Sequence, residues 1–263
     1  MHAGRHFGHD RSVTRTIVFF HAHPDDEALL TAGTMARANA EGVRVVLVTA
    51  TSGEAGLADD GLSGALGTVR THELQESARI LGVSRLEVLD YPDSGLTGTG
   101  SGGNRPPFCA TPVPEVAQRL AAIVRQEGAS SLVGYDASGG YGHPDHVHVH
   151  HCARAAAELL PTTTLFEATA PRWPFALGVK AAGLVMTFPP DFDPTQFEQA
   201  FTPSADITHR VDVRDFADFK RAALAAHASQ STGADVRTLG ALLKLPRPVF
   251  RTVLGTEYYR RVN

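Results

Sequence analysis

The sequence predicts an α/β fold, Rossmann-like in its mostly parallel sheet flanked by helices, as one domain over residues 16–263 with a less regular C-terminal third. Three observations carry this. Short apolar, β-branched runs alternate with helix-patterned segments from Thr16 to Ala170. The first two runs, Thr16–His21 and Arg44–Ala50, bracket a helical stretch at the spacing of a βαβ unit, the crossover that a parallel sheet requires. Beyond Pro171 the pattern weakens, interrupted by Pro174, Pro189, Pro190 and Pro194.

Taken in order, Thr16–His21 is short, β-branched and aromatic, as a buried strand should be. Ala28–Ala40 is rich in Ala, Leu, Met and Arg and reads as a helix, with Gly42 at a C-cap position. Arg44–Ala50 is the second strand, and Thr51–Thr68 a Gly-rich, acidic loop. Val69–Leu81 repeats Leu74, Ala78 and Leu81 at helical spacing and stops at Gly82; Arg85–Leu89 is a strand. Asp93–Pro112 has no periodicity and reads as a long surface loop, a kind that tends to carry function. Val113–Gln126 is a helix with Pro114 in its first turn. Ser131–Tyr135 is a strand, Pro144–Leu160 a helix and Thr162–Ala170 a strand. Past Pro171, Leu184–Phe188 has strand composition, Ala217–Ala228 is a helix, and Val236–Tyr259 reads as partly helical around Pro246 and Pro248.

A chain of 263 residues buries enough surface to fold without disulfides. Its two cysteines, Cys109 and Cys152, form neither a disulfide framework nor a metal knuckle. The net charge of -4, with no basic run, argues against nucleic-acid binding. Residues 1–15 are polar, lack the apolar core of a secretory signal, and read as a flexible arm. No apolar stretch is long enough to span a membrane, so the expected location is cytoplasmic. Oligomeric state is left open, a homo-oligomer included.

In open parallel sheets, ligands bind where strands end and the chain turns into the next helix. Two such turns here are rich in metal-binding groups: His21-Ala22-His23-Pro24-Asp25-Asp26-Glu27, and Tyr141-Gly142-His143-Pro144-Asp145-His146. Either alone reads as a helix start, where carboxylates favour the dipole. Two, each following a buried strand, point to a metal site. His23 and Asp26, three residues apart, can face one point, and His146 can add a third ligand, the set a catalytic zinc uses while keeping one position for water. Such an ion lowers the pKa of bound water toward roughly 7. Asp25, adjacent but displaced around the turn, is placed to act as the base.

These paired motifs resemble the LmbE-like, or PIG-L, N-acetylglucosaminyl deacetylases, in particular the mycothiol-pathway deacetylase and conjugate amidase. The resemblance runs from about Thr16 to Leu160 and includes the segment Phe216–Gln230. It implies a zinc-dependent enzyme that removes the acetyl group from an N-acetylglucosamine-containing, small-molecule conjugate. His23, Asp26 and His146 would be the zinc ligands and Asp25 the general base. A protonated His143 would stabilise the oxyanion, Asp145 would orient and charge His143, and Tyr141 would reach the reacting carbonyl. Arg70 and Asp93 would contact the sugar. The same ligand set accepts Fe2+ or Co2+. Two other readings stand beside this one: an amidase cleaving a larger thiol conjugate, and a metal-dependent module that binds an acetylated sugar without turnover.

Other features point less firmly. His148, His150 and His151 follow the second motif and read as packing or surface residues, although His150 shares a helical face with His146. Gly98–Gly103 does not join a strand to a helix, so it reads as a lid or substrate loop instead of a phosphate cradle. Glu54 either lines the pocket or is solvated. Trp173 and Phe175 read as core, with a sugar-stacking surface as the alternative, and Cys152 as buried filler.

Overall fold

The computed structural model describes residues 15–56, 65–95, 98, 104–173, 177, 200–231 and 238–263. The centre of the fold is β1 (Thr16–His21), which pairs in parallel with β2 (Arg44–Thr49) on one side and β4 (Ser131–Tyr135) on the other. Outside these lie β3 (Arg85–Val88) and β5 (Thr164–Thr169), also parallel. Two later strands, β6 (His209–Asp212) and β7 (Thr256–Arg261), extend the sheet beyond β5 in antiparallel sense. The resulting seven-stranded order is β3-β2-β1-β4-β5-β7-β6.

Strand side chains alternate between two buried faces, which is why the inner strands read as continuous apolar runs. Val18, Phe20, Val46, Val48 and Leu132 pack beneath Leu120 of α4 (Val113–Gln126) and Val149 of α6 (Pro144–Glu158). Phe19, Val45, Leu47 and Val133 meet Met35 of α2 (Ala32–Ala40), Leu74 of α3 (Leu66–Leu81) and Leu224 of α7 (Ala217–Ala226). The strand order reverses direction between β1 and β4. Their carboxyl ends therefore open into one crevice, the place where such sheets bind ligands.

The predicted helix over 28–40 is two helices, α1 (Asp26–Leu30) and α2, broken at Thr31. The Thr31 hydroxyl bonds His21 Nε2 at 2.9 Å, and its φ of -135° is non-helical. The partly helical segment over 236–259 divides into helices at Thr238–Lys244 and Arg247–Val253 and the strand β7. The strand expected over 184–188, Phe175 and nearly all of the N-terminal arm lie outside the described residues. Trp173 corrects its expected core position: it is 75% exposed.

One buried ion pair joins the C-terminal strands to the parallel sheet's helices. Glu257 on β7 accepts the Gly33 and Thr34 amides at the start of α2, at 2.9 and 2.8 Å. It also accepts Lys220 Nζ at 2.7 Å, each side chain being 2% exposed. Removing one partner of such a pair leaves a charge without compensation in a dry site. Lys220→Met should therefore lower unfolding stability by about 3–5 kcal/mol. Denaturant titration checks this, and a loss below about 1 kcal/mol would show that water reaches the pair.

Candidate active site

The turn after β1 is built by its own side chains. Asp26 Oδ2 accepts the His23 amide at 2.9 Å, folding the carboxylate back over His23. Asp25 takes a left-handed backbone conformation, φ 107° and ψ -28°, rare for a residue with a side chain. Its amide bonds Glu27 Oε2 at 2.9 Å. The Tyr135 hydroxyl, at the end of β4, reaches across to the Ala22 amide at 3.2 Å and His21 Nδ1 at 2.8 Å. The first motif is thus braced by the neighbouring strand.

The turn after β4 is organised by buried Asp136. Its carboxylate accepts the Ser138 and Gly140 amides and the Thr169 and Thr202 hydroxyls. The short helix α5 (Gly139–Gly142) follows, then α6 with Pro144 in its first turn. Gly139 has φ +58°, and a Cβ there would lie 2.5 Å from the Val147 amide nitrogen, so only glycine lets this turn rest on α6. His143 is the N-cap of α6: its Nδ1 accepts the Asp145 amide at 3.2 Å.

Three donor groups converge in the crevice. His146 Nε2 lies 3.3 Å from His23 Nδ1 and 3.3 Å from Asp26 Oδ1, and His23 Nδ1 lies 3.5 Å from Asp26 Oδ2. A tetrahedral zinc with bonds of roughly 2.0–2.1 Å sets its ligand atoms about 3.3–3.4 Å apart. The residues present fit such an ion. His23 is oriented for it: Nε2 lies 3.1 Å from Asp145 Oδ2 and 3.4 Å from Asp93 Oδ1. Carboxylates only accept, so Nε2 carries the proton and Nδ1 offers its lone pair.

Two other groupings of potential ligands lie within 4.8 Å: His23, His143 and His146, and His23, Asp93 and Asp145. In the first, Nδ1 of His143 is already committed as a cap; in the second, His23 would have to give up its Nε2 proton. The His23–Asp26–His146 set requires neither change.

Charge is arranged sharply around these groups. Burial disfavours a charged His23, but Asp145, Asp26 and Asp93 outweigh it and hold His23 well above the ordinary histidine range, so Nδ1 offers its lone pair only as a metal ion displaces the second proton. Burial works against the Asp26 anion too, and His146 and His23 overcome it, keeping Asp26 well below the carboxylate range. At Asp25 burial wins, raising the carboxyl to about 6 although Arg70 lies 3.2 Å away.

The other expected site residues have these partners. His143 accepts at Nδ1 from the Asp145 amide, and burial together with His23 and His146 lowers it to about 4. The Asp145 carboxylate turns away from His143 to His23 and to the Ser94 amide at 3.0 Å. Arg70, Asp93 and Glu54, expected at the sugar, have protein partners. Arg70 is 3% exposed and binds the Pro24 and Gly53 carbonyls as well as Asp25. Gly53 has φ +71°, and a Cβ there would lie 2.5 Å from the Arg70 guanidinium. Asp93 also accepts the Gly95 and Ala55 amides, while Glu54 accepts the Asp93 amide and the Ser52 hydroxyl.

Tyr141 sits on the rim, 39% exposed, its ring edge-on to His146 with centroids 5.2 Å apart. His148 packs on Phe108, and His150 turns to Glu167 and the Tyr135 carbonyl, away from the crevice. Cys152 is fully buried, and residues 99–103 of the glycine-rich loop lie outside the described residues. Sequence reasoning gave no role to Glu27, Tyr135, Asp136, Ser77 or His227, all of which brace the two turns. Of these, only Glu27 stood inside a motif.

Fold and site together define an α/β protein with a metal-type donor cluster at the switch point of its sheet. The family model for PIG-L, GlcNAc-PI de-N-acetylase, matches residues 18–157. The 1D-myo-inositol 2-acetamido-2-deoxy-alpha-D-glucopyranoside deacetylase of Acidothermus cellulolyticus is 36% identical over 267 residues, covering 94% of this chain and 88% of its own. The chain belongs to the PIG-L family. Among solved structures, N,N'-diacetylchitobiose deacetylase from Pyrococcus horikoshii shares the fold with a TM-score of 0.58 at 22% identity, over 94% of this chain and 84% of its own. So does 4-carboxy-2-hydroxymuconate hydratase from Pseudomonas putida, with a TM-score of 0.60 at 17% identity, over 95% and 96%. The fold alone therefore does not determine the reaction.

If Asp145 fixes the ring of a metal ligand, Asp145→Asn should weaken zinc binding about 10–100-fold, the usual cost of losing such a partner. Chelator competition on the metal-stripped protein measures this. Unchanged affinity would return Asp145 to a role at His143.

Proposed function

We propose that this chain is a zinc-dependent deacetylase that hydrolyses the acetamide of an N-acetylglucosamine conjugate, N-acetylglucosaminyl inositol being the first candidate. The observation that carries the reading is the convergence of His23, Asp26 and His146 at 3.3–3.5 Å with Asp25 beside them. The deacetylase activity of the relatives toward a glucosaminide of inositol supports the substrate class.

When bound by His23, Asp26 and His146, zinc supplies Lewis acidity, polarising the amide carbonyl and acidifying water. Fe2+ or Co2+ satisfies the same donors. Asp25 receives the proton of the attacking water at its carboxylate and returns it to the leaving amine as the C–N bond breaks, giving acetate and free amine, and burial suits it to both transfers near neutral pH. His143 donates its Nε2–H toward the carbonyl oxygen as negative charge develops, needing no net charge to do so. The Tyr141 hydroxyl approaches from the rim. Asp93, Asp145 and Arg70 act behind these groups, holding His23 and Asp25 in place.

The test is release of acetate and free amine from a panel of N-acetylglucosamine conjugates, comparing chelated with zinc-restored enzyme. Zinc-dependent acetate release supports the proposal. Cleavage of a thiol conjugate alone would favour the amidase, and silence in protein holding one zinc would favour a binding module.

Asp25→Asn should retain zinc and lose turnover by about 10²–10⁴-fold, the usual contribution of a positioned base. Metal analysis beside steady-state rates checks it; loss of zinc would make Asp25 a ligand instead.

A further inference from the structure

Asp25 stands on a backbone conformation that costs a non-glycine residue on the order of 1–3 kcal/mol, and such strain persists only where its surroundings enforce it. Glu27 is the side chain that holds the amide of this residue. It is fully buried and reaches back so that Oε2 accepts the Asp25 amide at 2.9 Å. Its other oxygen accepts the Ser77 hydroxyl from α3 at 2.6 Å and His227 Nε2 at 2.7 Å. His227, also fully buried, follows α7 and lies beyond the residues the family model matches. Burial disfavours charge at both members of this pair. Each outweighs that cost for the other: Glu27 raises His227 and His227 lowers Glu27.

We propose that Glu27 is a positioning residue for Asp25, and that His227 and Ser77 fix Glu27 for that purpose. Three donors converge on two carboxylate oxygens, one of them the amide of the strained residue. The residue that follows α7 thereby locks the turn that presents the base. The inference rests on the reading of Asp25 as that base. A plain capping role for Glu27 predicts lost stability only, whereas positioning predicts a loss that passes through Asp25.

The experiment is a double-mutant cycle of Glu27→Gln and Asp25→Asn in zinc-loaded enzyme, with N-acetylglucosaminyl inositol as substrate. Rates, KM, zinc content and thermal melts are recorded for all four proteins. Glutamine offers one acceptor oxygen where three donors converge, so the Asp25 amide or its co-donors lose a partner. Glu27→Gln should lower kcat about 10–100-fold, as misplacement of a reacting group does, with KM and zinc content unchanged. In the Asp25→Asn background it should change the residual rate by less than about twofold, since residues acting as a unit are not additive. Equal losses in both backgrounds, or an unchanged kcat in Glu27→Gln, would overturn the positioning role while leaving Asp25 as base. Full turnover by Asp25→Asn would overturn the base itself and the inference with it. Should Glu27→Gln fail to fold, His227→Gln replaces it in the cycle. It should show the same split at roughly 3–10-fold, and additive losses there would equally sink the proposal.

Discussion

The parallel pairing of β1 with β4 is the constraint from which the site follows. Register between them sets Val18 opposite Leu132 and Phe19 opposite Val133, so the two strands end at the same level. Each then needs a turn before its helix, and both turns open on one side of the sheet. Tyr135 converts that adjacency into a bond: placed last on β4, it gives its hydroxyl to the β1 turn through His21 and the Ala22 amide. A slip of one residue would reverse the faces of β4 and send this ring into the helix layer. The donor cluster is therefore a property of strand register before it is a property of any ligand.

Placing so many acids in one crevice creates a problem of charge. Asp25, Asp26, Glu27, Asp93 and Asp145 approach one another around two imidazoles. A buried carboxylate is tolerated only where donors or cations replace lost water. Here His23, Arg70, His227 and the amides of Asp25, Ala55, Ser94 and Gly95 provide that replacement. One buried carboxylate oxygen, Asp145 Oδ1, has no partner among the described residues. The excess of acids over cationic partners makes a bound divalent cation electrostatically coherent.

How much of this was legible follows from what each residue faces. β1, α4 and β4 begin and end where the sequence pattern does, because β1 and β4 are buried on both faces and α4 packs one apolar face on the sheet. β7 escaped notice because its inward positions are Glu257 and Tyr259, a charge and a phenol satisfied by Lys220 and α2. β6, four residues at the sheet edge, has no apolar period to read. The two His-Pro-Asp turns announced a metal-type site, but which nitrogen of His23 meets which carboxylate depends on strand placement. His227 lies 200 residues from Glu27, and nothing local in Ala-Ala-His-Ala links it to the crevice.

Since the same fold accompanies a hydratase as well as deacetylases, the chemistry must reside in how individual acids are treated. Asp26, Asp93 and Asp145 are all pulled below their ordinary range once cationic and amide partners outweigh burial. They are fixed anions, suited to holding cations and rings. Asp25 is handled oppositely. Its nearest cation, Arg70, is shared with two carbonyls, its side chain keeps 18% exposure, and burial prevails, raising it to about 6. An acid that can take and give up a proton near neutrality, set beside anions that cannot, is the division of labour a hydrolytic site needs. The two acids are consecutive in sequence, yet a left-handed backbone at Asp25 sets its carboxylate beside Arg70 while Asp26 folds back onto the His23 amide.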